Sequence, residues 1–596
     1  MDLIDILMAR ALTPQVQIET AAATANRAVA QATTALNDAN TAITNAQTAL
    51  TDANAAKDLA DEVTQQLQEK IDDIEYLFPT EEEITEQLDT KVDKFQGISN
   101  EGKTFIVDSE GYVTLTNRTD NLGANNAGKI VVINSDGTIT NGVITEEAII
   151  EALLQNENVT LDDVVGLQVD YANKTFIRTQ EAQNLAPGTN FNQYEMYAGR
   201  KRCNVADNGR INAFYGETGY TEDGSNGQVM VYQPKFYYSR IPMVTENGVV
   251  GKIVRKETFA ISYEEKPGFK LHPIFKGSNG EEFEYVLLSA YEGCGYDTSV
   301  GTYDLNDSST IDFTTDKLSS IAGAKPISGV NKAFTVANAE RMAQNRGTGW
   351  HIMNMAAESA NQMLALIELG TMNGQAAIEL GICQIPNNAS ANCSSLTGST
   401  QSLGSITGAA TETINETNGT VTTYNTNGRR AISYRGMENP WGNLWRMVGG
   451  VNIYGNTLTQ GGIPYICKNF NYTPTEQSSN YDSVGFCLPT EQGWISAMGY
   501  GSEDYDWVIM PAECSGANSL LPVGDNLWVT PSLNGINMCL IGGMWYFEDN
   551  DGLFYYGCDN RPTISQRSIS ARLMYVPTQK DTIYNDNITK WNQTRR

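Results

Sequence analysis

Histidine is nearly absent from this chain, which holds only two, His272 and His351, among 596 residues. Catalysis that depends on a histidine base, and metal sites built from several histidines, therefore have little material to work with. The nine cysteines are scattered and include no C-x-x-C pair. This argues against a zinc site and against a secreted disulfide framework, so we expect most cysteines to be buried, reduced thiols. We predict no metal site and no cofactor.

Positive charge is also scarce, since 40 Lys and Arg residues stand against 70 Asp and Glu residues, for a net charge of -30. Such a surface repels phosphate backbones, and we expect no nucleic-acid binding. No run approaches ~18 uncharged apolar residues, and the first ten residues lack the basic segment of a signal peptide, so we predict no membrane insertion. The length alone indicates several domains.

A heptad repeat is the clearest pattern near the start of the chain. Large apolar residues alternate with alanines along one stripe: Val29, Leu36, Ile43, Leu50, Val63 and Leu67. Pro14 can begin this helix and Pro79 must end it, which predicts a coiled coil over 15–78 after an anchor at 1–14. Because the stripe is too narrow to bury alone, we expect several copies to associate. An intramolecular hairpin is the alternative, and the heptad does not fix the number of helices.

Residues 79–168 are predicted to form a shaft of short helices and β-hairpins. Lys103–Thr116 and Lys129–Gly142 both have the pattern of a strand, an S-[ED]-G turn and a second strand. Thr145–Leu154 has the pattern of a short amphipathic helix. A single two-stranded unit is marginal by itself, so these units should pack on copies of themselves or on their neighbours.

A large α+β head domain is predicted over 169–580, followed by a tail at 581–596. Tryptophan, tyrosine, glycine and asparagine become frequent there, and Val229–Arg240 has the pattern of a strand. Gly349–Gly370 contains the one convincing helix, for which Gly370 is a suitable C-cap, and Asn387–Asn427 has the composition of a loop. The predicted whole is a fibrous homo-oligomer with an N-terminal α-helical coiled coil, a β/α shaft and a globular head.

Three short motifs carry a resemblance to a known family. They are E-N-P-W-G-N at Glu438–Asn443, I-G-G-M-W at Ile541–Trp545 and S-A-R-L at Ser570–Leu573. Their order and spacing resemble the C-type lectin-like fold, in the branch shared by formylglycine-generating enzymes and phage variable proteins. Arg200–Gly216 and Gly227–Pro242 also resemble virion proteins of bacteriophages. The resemblance implies a C-type lectin-like head domain.

The ribbon GGMWYFEDNDGLFYYGCDN, residues 542–560, is unusually rich in both aromatic and acidic residues. In the phage relatives, the segment between the second and third motifs is the solvent-facing ligand surface. The resemblance therefore implies these ligand-binding residues: Tyr546, Glu548, Asp549, Asp551, Tyr555, Tyr556, Asp559, Asn560, Arg561 and Gln566. Strict alternation would instead bury half of them, and we expect Trp545 and Phe554 to belong to the core.

Enzymatic sites are harder to find in this sequence. Formylglycine-generating enzymes use a cysteine pair near the C-terminus, and here Cys558 of the nearby pair Cys539 and Cys558 falls inside the ribbon. Sugar-binding C-type lectins hold calcium with an E-P-N tripeptide, whereas the order at Glu438 is E-N-P. We therefore assign no catalytic residue and no metal ligand.

The expected function is that of a bacteriophage fibre, on the tail or on the head, with no enzymatic activity. The resemblance implies a homotrimer that attaches to other virion proteins through its N-terminus and binds a glycan or protein on the bacterial surface. Its place would be the virion. A purely structural head fibre without a selective ligand and a glycan-trimming tail spike are the alternatives.

Overall fold

The computed structural model describes residues 163–595, except 309, 389, 414, 418–419 and 423–426, and the backbone of five strands within residues 103–142. Of 415–417 and 420–422 only the strand backbone is described. The predicted anchor, the coil over 15–78 and the helix Thr145–Leu154 lie outside the described residues. So do all of the predicted seam residues: Val29, Leu36, Ile43, Leu50, Val63 and Leu67.

The chain divides into two compact units, Met1–Glu146 and Glu147–Arg596. Five short strands are described in the first unit: β1 Lys103–Val107, β2 Val113–Asn117, β3 Asn125–Asn126, β4 Lys129–Ile133 and β5 Ile139–Gly142. β1 pairs with β2, and β4 pairs with β5, both antiparallel. Both hairpins predicted from the S-[ED]-G turns are therefore confirmed.

The second unit is mostly β-sheet with few helices. Its strands are, in chain order, β6 Val165–Asp170, β7 Thr175–Gln180, β8 Lys201–Val205, β9 Ile211–Phe214, β10 Gln228–Pro234, β11 Tyr237–Asn247, β12 Lys252–Ser262, β13 Lys270–Leu271, β14 Tyr285–Ser289, β15 Cys294–Asp297, β16 Thr302–Asp304, β17 Lys317–Ser319, β18 Trp350–Ile352, β19 Gly408–Ala409, β20 Asn415–Thr417, β21 Thr420–Thr422, β22 Ile432–Tyr434, β23 Met437–Glu438, β24 Trp445–Met447, β25 Val451–Tyr454, β26 Ile463–Cys467, β27 Tyr481–Ser483, β28 Gly493–Trp494, β29 Ala497–Tyr500, β30 Pro511–Glu513, β31 Asn526–Trp528, β32 Met538–Ile541, β33 Tyr556–Asn560, β34 Ile569–Ser570 and β35 Leu573–Tyr575. From residue 163 onward, its described α-helices are α1 Glu195–Ala198, α2 Val336–Gln344, α3 Met355–Leu369, α4 Gly374–Ala377 and α5 Thr582–Thr594.

Three larger sheets organise this unit. One has the order β18-β35-β14-β10-β8-β9, and a second runs β13-β11-β12-β29-β30 with β6 and β7 added beside β12. The third has the order β28-β31-β33-β32-β24-β34 and contains the second half of the ribbon as its inner strand β33. A smaller sheet, β25-β26-β27, carries loops that are important below.

Helix α3 runs through the core and confirms the predicted helix. The Asn354 side chain caps its start by accepting a hydrogen bond from the Ala357 amide at 3.0 Å. Gly370 ends it with a φ of 70°, the left-handed conformation that glycine adopts without strain. Residues all around α3 are buried, which is typical of a helix inside a core. Its polar side chains therefore need hydrogen-bond partners, and Gln362 has two of them in the segment 542–560.

The globular unit extends beyond the predicted head at both ends. β6 begins in the range predicted as shaft, yet it pairs with β12. The segment predicted as a tail forms α5, whose Trp591 stacks on Tyr232 at 4.9 Å and whose Tyr584 stacks on Tyr285 at 5.3 Å. Both ends therefore belong to the packed unit. Among the described residues, no helix is both long and apolar enough to cross a membrane.

Candidate functional site

A double-glycine turn opens the ribbon and explains why glycine is needed twice. Gly542 and Gly543 have φ values of 95° and 85°. A Cβ atom on Gly542 would lie 2.6 Å from Nη1 of Arg446, and one on Gly543 would lie 1.7 Å from Oδ1 of Asp551. Both the backbone conformation and the space thus exclude larger residues. The turn brings the second motif against the first, because the Trp545 amide donates to the Asn443 carbonyl at 3.1 Å.

Buried polar side chains hold the three motifs together. Arg446, which follows the first motif, donates to the Glu358 carboxylate of α3 at 3.1 Å and 3.3 Å and to the Pro440 carbonyl at 2.7 Å. Arg572 of the third motif donates to the carbonyls of Glu438 and Asn439. Burial lowers the pKa of Arg572 to about 10. The motif residues therefore form the framework on which the ribbon rests.

The E-N-P turn is also part of this framework. The Glu438 carboxylate accepts hydrogen bonds at 2.7 Å from the amides of Gly398 and Thr400 and from the Thr400 hydroxyl. Its oxygens thus face donors. Within the part of 163–595 that the structure describes, no three His, Cys, Asp or Glu side chains are grouped so that they could hold a metal ion.

The two cysteines near the C-terminus, which were compared above with the pair of formylglycine-generating enzymes, lie on adjacent strands in the sheet of the ribbon. Cys539 of β32 and Cys558 of β33 are both free and buried. A hydrogen bond with the Cys539 thiol, together with burial, raises the pKa of Cys558. The Cys558 thiol therefore stays protonated at neutral pH. Every cysteine of the chain is free, and most are buried, as the sequence predicted.

The structure divides the ten predicted ligand-binding residues into three groups. Glu548, Asp549 and Gln566 are exposed. Four others are half-buried: Tyr546, Asp559, Asn560 and Arg561. Asp551, Tyr555 and Tyr556 are buried, so the prediction that these three face solvent is wrong. Trp545 and Phe554 are buried as well, and their predicted place in the core is confirmed.

Contacts from distant parts of the chain explain the buried group. The Tyr556 hydroxyl donates to the Ile509 carbonyl at 2.5 Å and accepts from the Gln362 amide of α3 at 2.8 Å. The Tyr555 ring lies 4.5 Å from the ring of Trp445. Asp551 accepts a hydrogen bond from the Met544 amide at 3.1 Å. The second half of the ribbon thus forms an inner strand, and Asp551 before it holds the preceding loop in place.

Two buried aspartates brace the ribbon from within. Asp551 holds the Met544 amide, and Asp525 accepts from the Phe554 amide at 2.6 Å. The second oxygen of each carboxylate has no partner. Burial raises the pKa of both groups well above its ordinary value. Each aspartate therefore favours its neutral, protonated form in the folded protein.

An aromatic patch, consisting of Trp528, Phe547 and Tyr546, reaches the surface where the ribbon leaves the core. Trp528 is 38% exposed, and its ring stacks on Phe547 at 6.0 Å and 23°. Tyr546 meets Phe547 edge-on at 5.2 Å. The exposed carboxylates of Glu548 and Asp549 follow directly in the chain. The patch therefore presents ring faces beside an acidic border.

Arg567 supports the patch from the other side of the ribbon. Its guanidinium lies 5.3 Å from the ring centre of Trp545 and 5.9 Å from that of Tyr546. Cations over aromatic faces contribute modestly at exposed sites, and the contact limits the freedom of Tyr546. Arg567 was not among the predicted residues, although it is next to Gln566 in sequence.

Trp528 was missed by the sequence reasoning because it precedes the second motif. β31 runs parallel to β33, and Trp528 pairs with Gly557, which brings it beside the ribbon. The sequence carries no signal for this placement, because Leu527, Trp528 and Val529 are all apolar, and only the structure shows that Trp528 is exposed between two buried neighbours.

No protein-family model matches the chain, and no match was found among curated protein sequences. Among solved structures, the chain is similar to the Major Tropism Determinant U1 Variant, at 13% identity and a TM-score of 0.22, over 81% of this chain and 96% of that chain. The M1 Variant is similar at 14% identity and 0.21, over 66% and 73%, and the P3c Variant at 14% and 0.21, over 80% and 87%. TM-scores of this size do not establish a shared fold.

Proposed function

We propose that this chain is a receptor-binding fibre protein of a bacteriophage particle, and that the aromatic patch binds a glycan or protein on the bacterial surface. One observation carries this proposal: Trp528, its stacked partner Phe547 and Tyr546 are partly exposed at the start of the ribbon, whereas the other aromatic residues of the ribbon are buried. The patch needs no chemistry of its own, and the proposed activity is adhesion without catalysis.

The physical character of the patch suits adhesion. Tryptophan and tyrosine give large contact areas with few rotatable bonds, so little conformational entropy is lost when they bind. The rings are held by a framework of buried ion pairs and hydrogen bonds, which keeps the surface in place before the ligand arrives. Sugar rings can stack on such faces while Glu548 and Asp549 accept hydrogen bonds from hydroxyl groups.

The predicted coil completes the proposal. If the seam over 15–78 associates, several heads share one stalk, and weak binding by each head becomes strong binding by the whole. A homotrimer anchored in the virion through residues 1–14 is the arrangement that the family resemblance implies. Attachment to the tail and attachment to the head of the particle would both allow the stalk to carry its head domains in this way.

A cell-binding assay tests the proposal. The full-length chain is labelled and incubated with a panel of bacterial strains, and bound fluorescence and released reducing sugar are both measured. We expect binding to a subset of strains, and Trp528→Ala should weaken it at least about tenfold, since exposed anchors of this type dominate interfaces. Tyr215→Ala is the matched control, because Tyr215 is 41% exposed but follows β9 directly and lies outside the patch.

Each other outcome points to an alternative. Failure to bind any strain would support the purely structural head fibre. Release of sugar ends would support the glycan-trimming spike. Equal binding by the Trp528→Ala variant and the unmodified chain would show that adhesion takes place elsewhere on the molecule.

A further inference from the structure

An open cleft lies at the ends of strands that are separate from the sheet of the ribbon. It has a volume of about 730 Å³ and is lined by Gln344 and by parts of four loops, 277–279, 347–351, 469–471 and 576–578. This volume lies within the range of ligand-binding clefts, about 300–1,000 Å³. None of the ribbon residues takes part in it.

Apart from His351, whose Nδ1 faces Glu340, the described part of this cleft's lining holds no ionisable side chain. Among the described residues that line it there is no Asp, Glu, Lys or Arg, although the chain as a whole carries a net charge of -30. Exposed neutral side chains with hydroxyl or amide groups take their place: Ser278, Asn279, Gln344, Thr348, Asn471 and Thr578. We refer to it as the uncharged cleft.

A half-buried aromatic ring, that of Phe470, lines the uncharged cleft. Phe470 stacks on His351 at 4.5 Å and 23°. His351 is itself fixed, because its Nδ1 lies 2.7 Å from Oε1 of the buried Glu340, whose other oxygen accepts from the Ile352 amide at 2.9 Å. The fixed His351 ring therefore packs on one face of the Phe470 ring and holds it in position before a ligand binds.

The loop that carries Phe470 is also ordered by its own hydrogen bonds. Asn480 donates to Oδ1 of Asn469 at 2.7 Å, and the Asn471 amide donates to the same oxygen at 3.0 Å. A ligand would thus meet a preformed loop and lose little entropy in fixing it.

A second open volume of about 490 Å³ continues from the uncharged cleft. The two share Gly277, Ser278, Asn469 and Phe470, so Phe470 stands at their junction. In the second volume two lysines and two aspartates cancel in charge, and Lys468 pairs with Asp482 at 3.3 Å. The space can therefore hold a ligand longer than one small molecule.

We propose that the uncharged cleft binds a neutral oligosaccharide, with one sugar ring stacked on Phe470 and its hydroxyl groups bonded to the surrounding amides and hydroxyls. A phosphate or carboxylate ligand would find no lysine or arginine among the described residues lining the cleft. Neutral amides and hydroxyls around one aromatic ring suit a ligand that is both hydroxyl-rich and uncharged. This site is distinct from the aromatic patch and does not depend on it.

An array of neutral and acidic oligosaccharides tests this proposal with the full-length chain as the probe. We expect neutral oligosaccharides to be bound, and Phe470→Ala should weaken that binding at least about tenfold. Thr348→Glu, which places a charge at an exposed position of the lining, should also weaken it. Tyr454→Ala is the matched control, since Tyr454 is a 42% exposed aromatic residue of the neighbouring strand β25 that does not line the cleft.

The variants separate this site from the aromatic patch. Trp528→Ala should lower binding to cells, and it should still bind the neutral oligosaccharides whose binding Phe470→Ala weakens, because Trp528 does not line the cleft. The proposal would be overturned if only acidic oligosaccharides were bound, or if no neutral ones were. It would also be overturned if the Phe470→Ala and Thr348→Glu variants bound neutral oligosaccharides as well as the unmodified chain does. Loss of the array signal in Trp528→Ala alone would assign the sugar to the patch. Tryptophan fluorescence on heating shows whether each variant is folded, and Thr348→Glu, a surface change, keeps the test decisive if Phe470→Ala unfolds.

Discussion

The start and the middle of the ribbon contain the same kinds of residue and have opposite surroundings. Tyr546, Glu548 and Asp549 at its start lie at or near the surface, whereas Asp551 and Tyr556 in its middle are buried. Composition therefore does not decide which part of such a ribbon meets a ligand. Whether a part of the ribbon is exposed depends on which distant residues the fold places beside it.

The middle of the ribbon is covered because it supplies a strand to the interior of a sheet. β33 lies between β31 and β32, and Gln362 of α3 reaches the Tyr556 hydroxyl. The ribbon residues that directly follow the double-glycine turn lie outside any strand, and their aromatic side chains at the surface pack beside Trp528 and Arg567. One half of the ribbon thus stabilises the fold, and the other half is available for contact.

The largest effect is expected from breaking the buried charge pair beneath the double-glycine turn that opens the ribbon. Arg446→Ala would leave the carboxylate of Glu358, which is 1% exposed, without its cation. Loss of one partner from such a buried pair destabilises a protein by roughly 3–5 kcal/mol. Urea unfolding followed by tryptophan fluorescence measures this, because all eight tryptophans of the chain lie in the globular unit.

An exposed pair provides the control for that measurement. Arg210 and Asp586 are 3.2 Å apart, and their side chains are 46% and 51% exposed. Arg210→Ala should change the free energy of unfolding by about 0–1 kcal/mol, as is usual for surface pairs. If the two arginine variants were equally stable, the buried framework would not be what holds the ribbon.

The next effect concerns the two aspartates that brace the buried half. Burial raises the pKa of Asp525 and Asp551 above the ordinary value of 3.8, so the folded protein binds more protons than the unfolded chain. Stability from these groups is therefore complete below the unfolded pKa and is lost as the pH rises through the folded pKa. Asp551→Asn should remove part of that loss, so its free energy of unfolding should fall less with pH than that of the unmodified chain.

Comparison of pH profiles isolates this contribution from that of other groups. Unfolding free energies are measured from about pH 4 to pH 8 for the unmodified chain, Asp551→Asn and Asp525→Asn. Asp549→Asn is the control from the exposed start of the same ribbon, where the carboxylate that it removes lies in solvent. Parallel profiles for all of the variants would mean that the buried carboxylates are neutralised in some other way.

Local features of this fold were predictable from sequence. The α3 helix, its Gly370 cap, both hairpins of the first unit and the core positions of Trp545 and Phe554 follow from periodicity, turn residues and motif spacing. Each of these depends on residues close together in the chain. The position of Trp591 also had a local signal, because Tyr584, Asn587 and Trp591 lie on one face of α5.

The remaining features depend on partners that are far apart in sequence. The burial of Tyr556 requires Gln362 and Ile509, and the exposure of Trp528 beside the ribbon requires a parallel pairing of β31 with β33. No spacing rule within the ribbon contains that information. The uncharged cleft is likewise assembled from four separate loops, and only the folded chain shows that their neutral residues meet.

The smallest effect sharpens the comparison with two tyrosines of the same ribbon. Tyr556→Phe removes a hydroxyl that donates to the buried Ile509 carbonyl and accepts from Gln362, and it leaves Gln362 only its bond to the Leu553 carbonyl. Such a loss destabilises by about 1–3 kcal/mol. Tyr546→Phe changes a half-buried ring at the surface and should shift the free energy of unfolding by less than about 0.5 kcal/mol. The same urea experiment measures both, and because each variant loses one oxygen atom from the same kind of ring, a difference between them reports only on surroundings. Equal effects would mean that the two halves of the ribbon are supported alike, and the division between scaffold and contact surface would have to be abandoned.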